Sequence, residues 1–159
     1  MQITRADFDD PRLAAFLQAH LDDIAPTAPP ESRHALDLAG LRQPRVRMWV
    51  GVGQDEGDGE QVVATVALAA MTHDHEELKS MRTDPRVRGR GIARAMLDHA
   101  LADARSRGVG RISLETGSME FFAPARRCYA RAGFVPCEPF GDYRADPHST
   151  FMTLALTPG

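Results

Sequence analysis

Two closely spaced glycines separate a strand-like segment from a long segment with helical periodicity, within the stretch R-V-R-G-R-G-I-A-R-A at residues 86–95. From Ile92, apolar residues recur every three or four positions until Gly108, which predicts a helix. We expect strands on either side of it, over residues 76–82 and 111–116. A strand, a helix and a strand in this order form a right-handed crossover with parallel strands. This segment therefore predicts an α/β fold.

The remaining elements are predicted by alternation and by turn-forming residues. The chain before the crossover is divided by short polar turns, so we expect its strands to be mostly antiparallel. The 159 residues contain no internal repeat and no linker, so we expect one domain over residues 1–159. The predicted elements are strands over 2–5, 46–52, 61–71, from 134 and over 151–156, helices beginning at Pro11 and Pro124, and a shorter helix over 32–38.

Positive charge is concentrated around the two glycines. The whole chain has a formal net charge of -3 at pH 7, whereas residues 79–94 contain six basic side chains and one carboxylate, Asp84. A slightly acidic chain lacks the broad basic face that duplex binding requires, so we expect no nucleic-acid partner. The local charge instead predicts a site for a smaller polyanion.

Other classes of protein are disfavoured by composition. The longest mostly apolar run, residues 62–71, is too short to cross a bilayer, and acidic residues occupy positions 7, 9 and 10 where a leader would be basic. We expect a cytoplasmic protein without a membrane partner. Two cysteines suggest neither a disulfide framework nor a zinc site. His73 and His75 lack a third ligand at a recognisable spacing, so we expect no metal.

The spacing of the glycines distinguishes between the known phosphate loops. A Walker loop requires Gly-Lys, which the chain lacks, and the third position of a dinucleotide loop is Arg94 instead of glycine. The pattern that remains is R-x-x-G-x-G, with Arg86, Gly89 and Gly91 at its fixed positions. Uncovered N–H groups at the start of a helix bind phosphate well, because the helix dipole is positive there.

The R-x-x-G-x-G segment resembles the acetyl-CoA loop of the GNAT superfamily of N-acetyltransferases. E-E-L-K-S-M-R-T-D-P before it, and L-E-T-G and C-Y-A-R-A-G-F after it, resemble that family's fourth strand, fifth strand and following helix. P-P-E-S-R-H-A-L-D-L, P-F-G-D-Y and D-P-H-S-T-F-M-T-L resemble a bacterial subgroup of small-molecule-type acetyltransferases. The resemblance implies a GNAT fold, with a mixed sheet of six to seven strands and flanking helices, splayed between strands four and five.

The resemblance also implies acetyl-CoA as co-substrate, with no metal. Its pyrophosphate would lie against the loop, and its pantetheine arm would pair with the backbone of the fourth strand as an added strand. The implied contacts are Arg86, Val87, Arg88, Gly89, Arg90, Gly91, Ile92 and Ala93 in the loop, Met81, Arg82 and Thr83 in the strand, and Tyr129 near the sulfur.

The resemblance implies direct acetyl transfer through a tetrahedral intermediate, with a backbone N–H of residues 79–82 facing the oxyanion. Tyr129, in the position Y-x-x-x-G-F, is the implied proton donor to the thiolate; a core aromatic is the alternative. Alternation puts Glu76 and Glu77 on opposite faces of their strand. The candidate bases are Glu115 and Glu77, and a water chain in place of a base is the alternative.

The acceptor site is the least determined part. By resemblance, His34 lies in a region that overhangs the acceptor pocket. Lys79, Arg82 and Arg144 are candidates to hold a carboxylate, and acidic residues at 22, 23 and 31 are candidates to hold an amine. We expect a small-molecule amine or amino-acid-like acceptor, and a homodimer is compatible with the family. A protein or peptide N-acetyltransferase and a non-catalytic acyl-CoA-binding module remain as alternatives.

Overall fold

Seven strands form one mixed sheet in a computed structural model that describes residues 1–32, 37–55, 57 and 59–157. The strands lie in the order β1-β2-β3-β4-β5-β7-β6. Their bounds, with those of the four α-helices of this part of the chain, are β1 Gln2–Arg5, α1 Pro11–Ile24, α2 Leu38–Leu41, β2 Val46–Asp55, β3 Gly59–Ala70, β4 His75–Thr83, α3 Ile92–Ser106, β5 Arg111–Gly117, α4 Ala123–Arg131, β6 Val135–Pro136 and β7 Ser149–Ala155.

The predicted crossover is confirmed. β4 and β5 are parallel neighbours joined through α3, whereas the other neighbouring pairs in the sheet are antiparallel. α1 also begins as predicted, at Pro11, with the Asp10 carboxylate accepting the N–H of Arg12 at 2.9 Å.

The predicted splay lies at the centre of the sheet. β4 and β5 pair only from His75 opposite Arg111 to Leu78 opposite Leu114. Beyond these positions, residues 79–83 of β4 continue without β5 beside them. A cleft therefore opens between two neighbouring strands, with main-chain groups of β4 at its edge.

A β-bulge in β4 lies where the cleft opens. Lys79 is paired with Ala67 and Arg82 with Thr65, so two residues of β4 oppose a single residue of β3. The first of them, Ser80, has a φ of 51°, which is rare for a residue other than glycine. The Thr65 hydroxyl donates to the Ser80 carbonyl at 2.7 Å and holds this conformation.

The sheet buries apolar side chains on both faces. One cluster packs against α3 and α4 and includes Leu68, Leu97 and Ile112, each fully buried. The other packs against α1 and α2 and includes Leu13, Leu41 and Met48. Burial of such side chains, each worth about 1.5–3 kcal/mol, fixes the helices that border the cleft. Among the described residues, no helix is long and apolar enough to span a membrane.

A second helix follows α1 in the described part of the chain, close to the one predicted over residues 32–38. The structure has a helix at Leu38–Leu41, and residues 33–36 lie outside the described part of the chain. The Asp37 side chain accepts the N–H of Gly40 at 2.9 Å, and this N-cap sets the start of the helix at Leu38.

Candidate active site

The glycine loop leads directly into α3. Gly89 and Gly91 have φ values of 78° and 77°, a left-handed conformation that favours glycine. A Cβ at either position would meet no heavy atom within 4 Å, so the need for glycine comes from the backbone conformation or from a ligand. Gly91 is the N-cap of α3 and offers no capping side chain. The first N–H groups of a 15-residue helix are therefore left for an anion.

A groove runs from this loop between β4 and α4, and we name it the cofactor groove. Its described lining contains five arginines and no carboxylate, so it suits a polyanion with an extended arm. The residues that were predicted to contact the cofactor and that line it are Met81, Arg82, Thr83, Val87, Arg88, Gly89, Gly91, Ile92, Ala93 and Tyr129. Unpredicted lining residues include His20, Arg127 and Arg131.

Two residues that were predicted as loop contacts do not line the described part of the groove. Arg86 is absent from the described groove lining, and its guanidinium pairs with Asp84 at 2.8 Å. Arg90 is exposed and does not line the groove either. The backbone N–H of Arg86 also donates to Asp84, at 2.9 Å, so this segment is held by its own short turn.

The groove continues into a second cavity at the split between β4 and β5, and we name it the chamber. Both cavities are lined by His20, Ile24, Met81, Phe122, Ala125 and Tyr129, so the two form one cleft. The polar residues deeper in the chamber include Glu77, Lys79, Glu115 and His148. A molecule in the chamber would meet the inner end of a molecule in the groove.

Tyr129 lies at the junction of the two cavities. Its ring is packed near that of Phe134, with 5.9 Å between centroids, and the residue is 6% exposed. Its hydroxyl makes no hydrogen bond to any residue that the structure describes. Burial raises the pKa of Tyr129 above its usual value, so its hydroxyl keeps its proton at neutral pH. Tyr129 therefore packs in the core and also lines the cleft. A core aromatic and a proton donor were the two alternatives that the sequence left open.

A three-residue network borders the chamber on the α1 face of the sheet. Lys79 Nζ donates to Glu77 Oε2 and to the Tyr143 hydroxyl, at 3.1 Å in each case. The Tyr143 hydroxyl donates to Glu77 Oε2 at 2.5 Å. The charge of Lys79 is therefore already matched by that of Glu77. Tyr143 was not predicted as a site residue, and its only sequence signal is its place in P-F-G-D-Y.

Glu115 lies across the split from this network. Burial raises the pKa of Glu115 to about 7, and the nearby carboxylates Glu77 and Asp146 act in the same direction. The Ser149 hydroxyl and the Lys79 ammonium oppose that rise. A carboxyl group with a pKa near neutrality is suited to accepting and releasing a proton.

Glu76 faces away from the chamber, as the alternation predicts. Its carboxylate accepts two hydrogen bonds from Arg107 of α3, at 2.6 and 2.9 Å. Arg107 also pairs with Asp103 at 2.8 Å, so Glu76 belongs to an ion-pair network that joins β4 to α3. The two neighbouring glutamates therefore serve different parts of the molecule.

Two histidines and one arginine also line the cleft formed by the groove and the chamber. Burial, aided by the charge of Arg82, lowers the pKa of His20 to about 4, so His20 is neutral at physiological pH. Arg82 itself pairs with Asp23 of α1 at 2.7 Å. His148 Nδ1 lies 3.1 Å from Asp146 Oδ1.

Comparison of the sequence with known protein families and proteins identifies the family of this chain. A model of the family described as "Acetyltransferase (GNAT) family" matches residues 8–134, a range that includes the loop, β4, β5 and α4. The chain belongs to the GNAT family. It is 42% identical over 150 residues to "Uncharacterized N-acetyltransferase YedL" of Escherichia coli (strain K12), covering 94% of this chain and 91% of that protein. It is 40% identical over 156 residues to "Uncharacterized N-acetyltransferase YsnE" of Bacillus subtilis (strain 168), covering 98% and 100%.

The fold comparison agrees. A solved structure from Klebsiella pneumoniae subsp. pneumoniae MGH 78578, assigned to the acyl-CoA N-acyltransferases, superimposes with a TM-score of 0.79 at 28% identity, covering 98% of this chain and 97% of that one. The resemblance to the GNAT family, to its YsnE-like bacterial subgroup and to its fold is confirmed. The protein is an acyl-CoA-dependent N-acetyltransferase.

The structure of this GNAT protein groups some predicted site residues and separates others. Glu77, Lys79, Glu115 and Tyr129 line one chamber. Arg144 is exposed in the segment before β7 and does not line either cavity in the described part of the chain. His34 lies outside the described residues.

Proposed function

We propose that this GNAT enzyme transfers the acetyl group of acetyl-CoA directly to the amine of a small molecule. The observation that carries the proposal is the single cleft that joins the uncapped start of α3 to the chamber between β4 and β5. One end of this cleft suits a pyrophosphate and the other holds titratable groups, with Tyr129 between them. A thioester carrier that lay along the groove would present its acyl group to the chamber.

The chain's own groups would hold the carrier at two points. The N–H groups at the start of α3, with the exposed Arg88 beside them, would bind the pyrophosphate. Residues 79–83 of β4, which have no β5 neighbour, offer main-chain groups to the amides of the pantetheine arm. The bulge at Ser80 and Met81 leaves the ladder interrupted beside the reacting carbonyl, where a β4 N–H would stabilise the oxyanion.

In the proposed transfer, the acceptor nitrogen forms a bond to the acetyl carbon through a tetrahedral intermediate, and the carbon–sulfur bond then breaks. The nitrogen loses one proton and the departing thiolate gains one. We assign the first proton to Glu115, because its pKa of about 7 suits a base at neutral pH. We assign the second to Tyr129, whose hydroxyl keeps its proton and has no partner among the described residues. Glu77 takes part through its contacts with Lys79 and Tyr143.

The charges around the chamber favour an amine over an amino-acid-like acceptor. Lys79 is paired with Glu77 and Arg82 with Asp23, so neither cation is left to attract a free carboxylate. Glu115 and Asp146 add negative charge near the same space. A positively charged amine is therefore attracted to the chamber. It must lose one proton to solvent to become a neutral nucleophile, and the proton that Glu115 accepts is the second one, lost during the transfer.

The test is a thiol-release assay with acetyl-CoA across small amines, amino acids and peptides, repeated with Tyr129→Phe. We expect turnover with a small amine, and a fall in kcat of roughly 100-fold in the variant, because a general acid is lost. KM for acetyl-CoA should change little. Turnover with peptides alone would replace the small-molecule acceptor by a protein. CoA binding without thiol release from any acceptor would indicate a non-catalytic module.

A further inference from the structure

Two arginines on α4 line the cofactor groove, together with the glycine loop. Arg127 and Arg131 are one helical turn apart, and both are exposed to the groove. Neither makes an ion pair with a carboxylate in the described part of the chain. The neighbouring Arg126 differs, since it donates to the carbonyls of Gly117 and Met119 at 2.7 and 2.8 Å. Arg126 supports the loop, whereas Arg127 and Arg131 are available to a ligand.

The position of Arg131 relative to α3 is indicated by Cys128, which lines the groove. The guanidinium groups of Arg94 and Arg131 both oppose the rise in the pKa of the Cys128 thiol that burial causes. Arg94 approaches from α3 and Arg131 from α4, so both helices place a cation at this part of the groove. Arg94 is paired with Asp98 at 2.8 Å and Arg82 with Asp23 at 2.7 Å. Among the described groove residues, the cations without an ion pair are therefore Arg88, beside the glycine loop, and the two α4 arginines.

Coenzyme A has more than one anionic group that Arg127 and Arg131 could bind. Coenzyme A has a pyrophosphate and a separate 3′-phosphate on its ribose. In the proposed function, the start of α3 binds the pyrophosphate, which leaves the 3′-phosphate to be matched by other groups of the groove. No carboxylate lines the described part of this groove, so Arg127 and Arg131 have no acidic partner within the protein there.

We propose that Arg127 and Arg131 bind the 3′-phosphate of acyl-CoA and make the enzyme prefer CoA to 3′-dephospho-CoA. The proposal rests on the proposed binding of the pyrophosphate at α3. Two guanidinium groups one turn apart can both donate to one phosphate, and such charge-assisted hydrogen bonds are among the stronger ones. The preference would be set by α4, whereas the shared affinity for both ligands would be set by the glycine loop.

The test is calorimetric titration of CoA and of 3′-dephospho-CoA into the wild-type protein and the double variant Arg127→Gln/Arg131→Gln. We expect the wild type to bind CoA at least about tenfold more tightly than dephospho-CoA. The double variant should lose that preference and keep its affinity for dephospho-CoA. Arg105→Gln, on α3 but outside the groove lining, is the matched control and should keep the preference.

Each alternative outcome has a separate meaning. Equal binding of the two ligands by the wild type, or a preference that survives in the double variant, would overturn the 3′-phosphate site alone. Gly89→Glu should weaken both ligands while it leaves their ratio unchanged, because it acts at the pyrophosphate. Failure of the wild type to bind either ligand would overturn the proposed function together with this inference.

Discussion

At the scale of single residues, substitutions at two glycines with the same backbone conformation distinguish the effect of backbone strain from an effect on ligand binding. Gly89 and Gly108 both have a φ of 78°, and a Cβ at either would meet no heavy atom within 4 Å. Gly89→Glu and Gly108→Glu should therefore have a similar conformational cost of about 1–2 kcal/mol, seen as similar falls in the free energy of unfolding.

Only Gly89→Glu should weaken CoA binding, by roughly 100-fold or more, because it alone places a carboxylate where the pyrophosphate is expected. Titration of CoA into both variants measures the effect. An equal loss of affinity in the two variants would mean that strain, and not the site, is responsible.

The protonation of Glu115 predicts how kcat/KM depends on pH. Because burial raises the pKa of Glu115 to about 7, its carboxylate is mostly protonated at pH 6 and mostly ionised at pH 8. A base must be ionised, so kcat/KM should rise through an apparent pKa near 7 and level off above it. Glu115→Gln should lower kcat/KM by about 100-fold or more and remove this limb of the profile.

The variant Lys79→Met tests whether the pH dependence comes from Glu115. The Lys79 ammonium lowers the pKa of Glu115, so its removal should move the rising limb of the pH profile to higher pH. A limb that stays in place after both substitutions would assign the titration to another group.

At the scale of elements, β4 divides its two faces between stability and catalysis. Glu76 is buried and held by Arg107, whereas the next residue, Glu77, borders the chamber. Glu76→Gln should lower the free energy of unfolding by about 2 kcal/mol, because it weakens a buried ion pair, and should leave kcat/KM of the folded enzyme unchanged.

Glu77→Gln should do the reverse. It should reduce kcat/KM and have the smaller effect on stability, as measured by denaturant unfolding alongside turnover. The same order of effects in both variants would show that the alternation does not separate the two roles.

The elements around the site were predicted well because their signals are local. The helical repeat from Ile92 gave the start of α3, and residues 76–82 were predicted where β4 has His75–Thr83. Alternation also gave the opposite orientations of Glu76 and Glu77. A helix was predicted over 32–38, and the structure has one at Leu38–Leu41, where the Asp37 carboxylate accepts the N–H of Gly40; residues 33–36 lie outside the described part of the chain.

At the scale of the whole molecule, the site is an assembly of distant parts of the chain. Lys79 contacts Tyr143, which is 64 residues away, and His20 of α1 lies in the same cleft as Tyr129 of α4. No periodicity encodes such contacts, because they depend on how the strands and helices pack. For that reason Tyr143, His20 and the α4 arginines were missed. Arg144, adjacent to Tyr143 in sequence, is exposed and lines neither the groove nor the chamber in the described part of the chain, so its place in the acceptor site stays a prediction.

The most direct test of the account is a crystal structure of the protein with coenzyme A bound. We expect the pyrophosphate within hydrogen-bond distance, about 2.7–3.2 Å, of the N–H groups between Gly89 and Ala93. The pantetheine arm should run along residues 79–83 of β4, with its sulfur beside Tyr129. A coenzyme bound in the same groove with its pyrophosphate away from the start of α3, or bound outside the groove, would contradict the account.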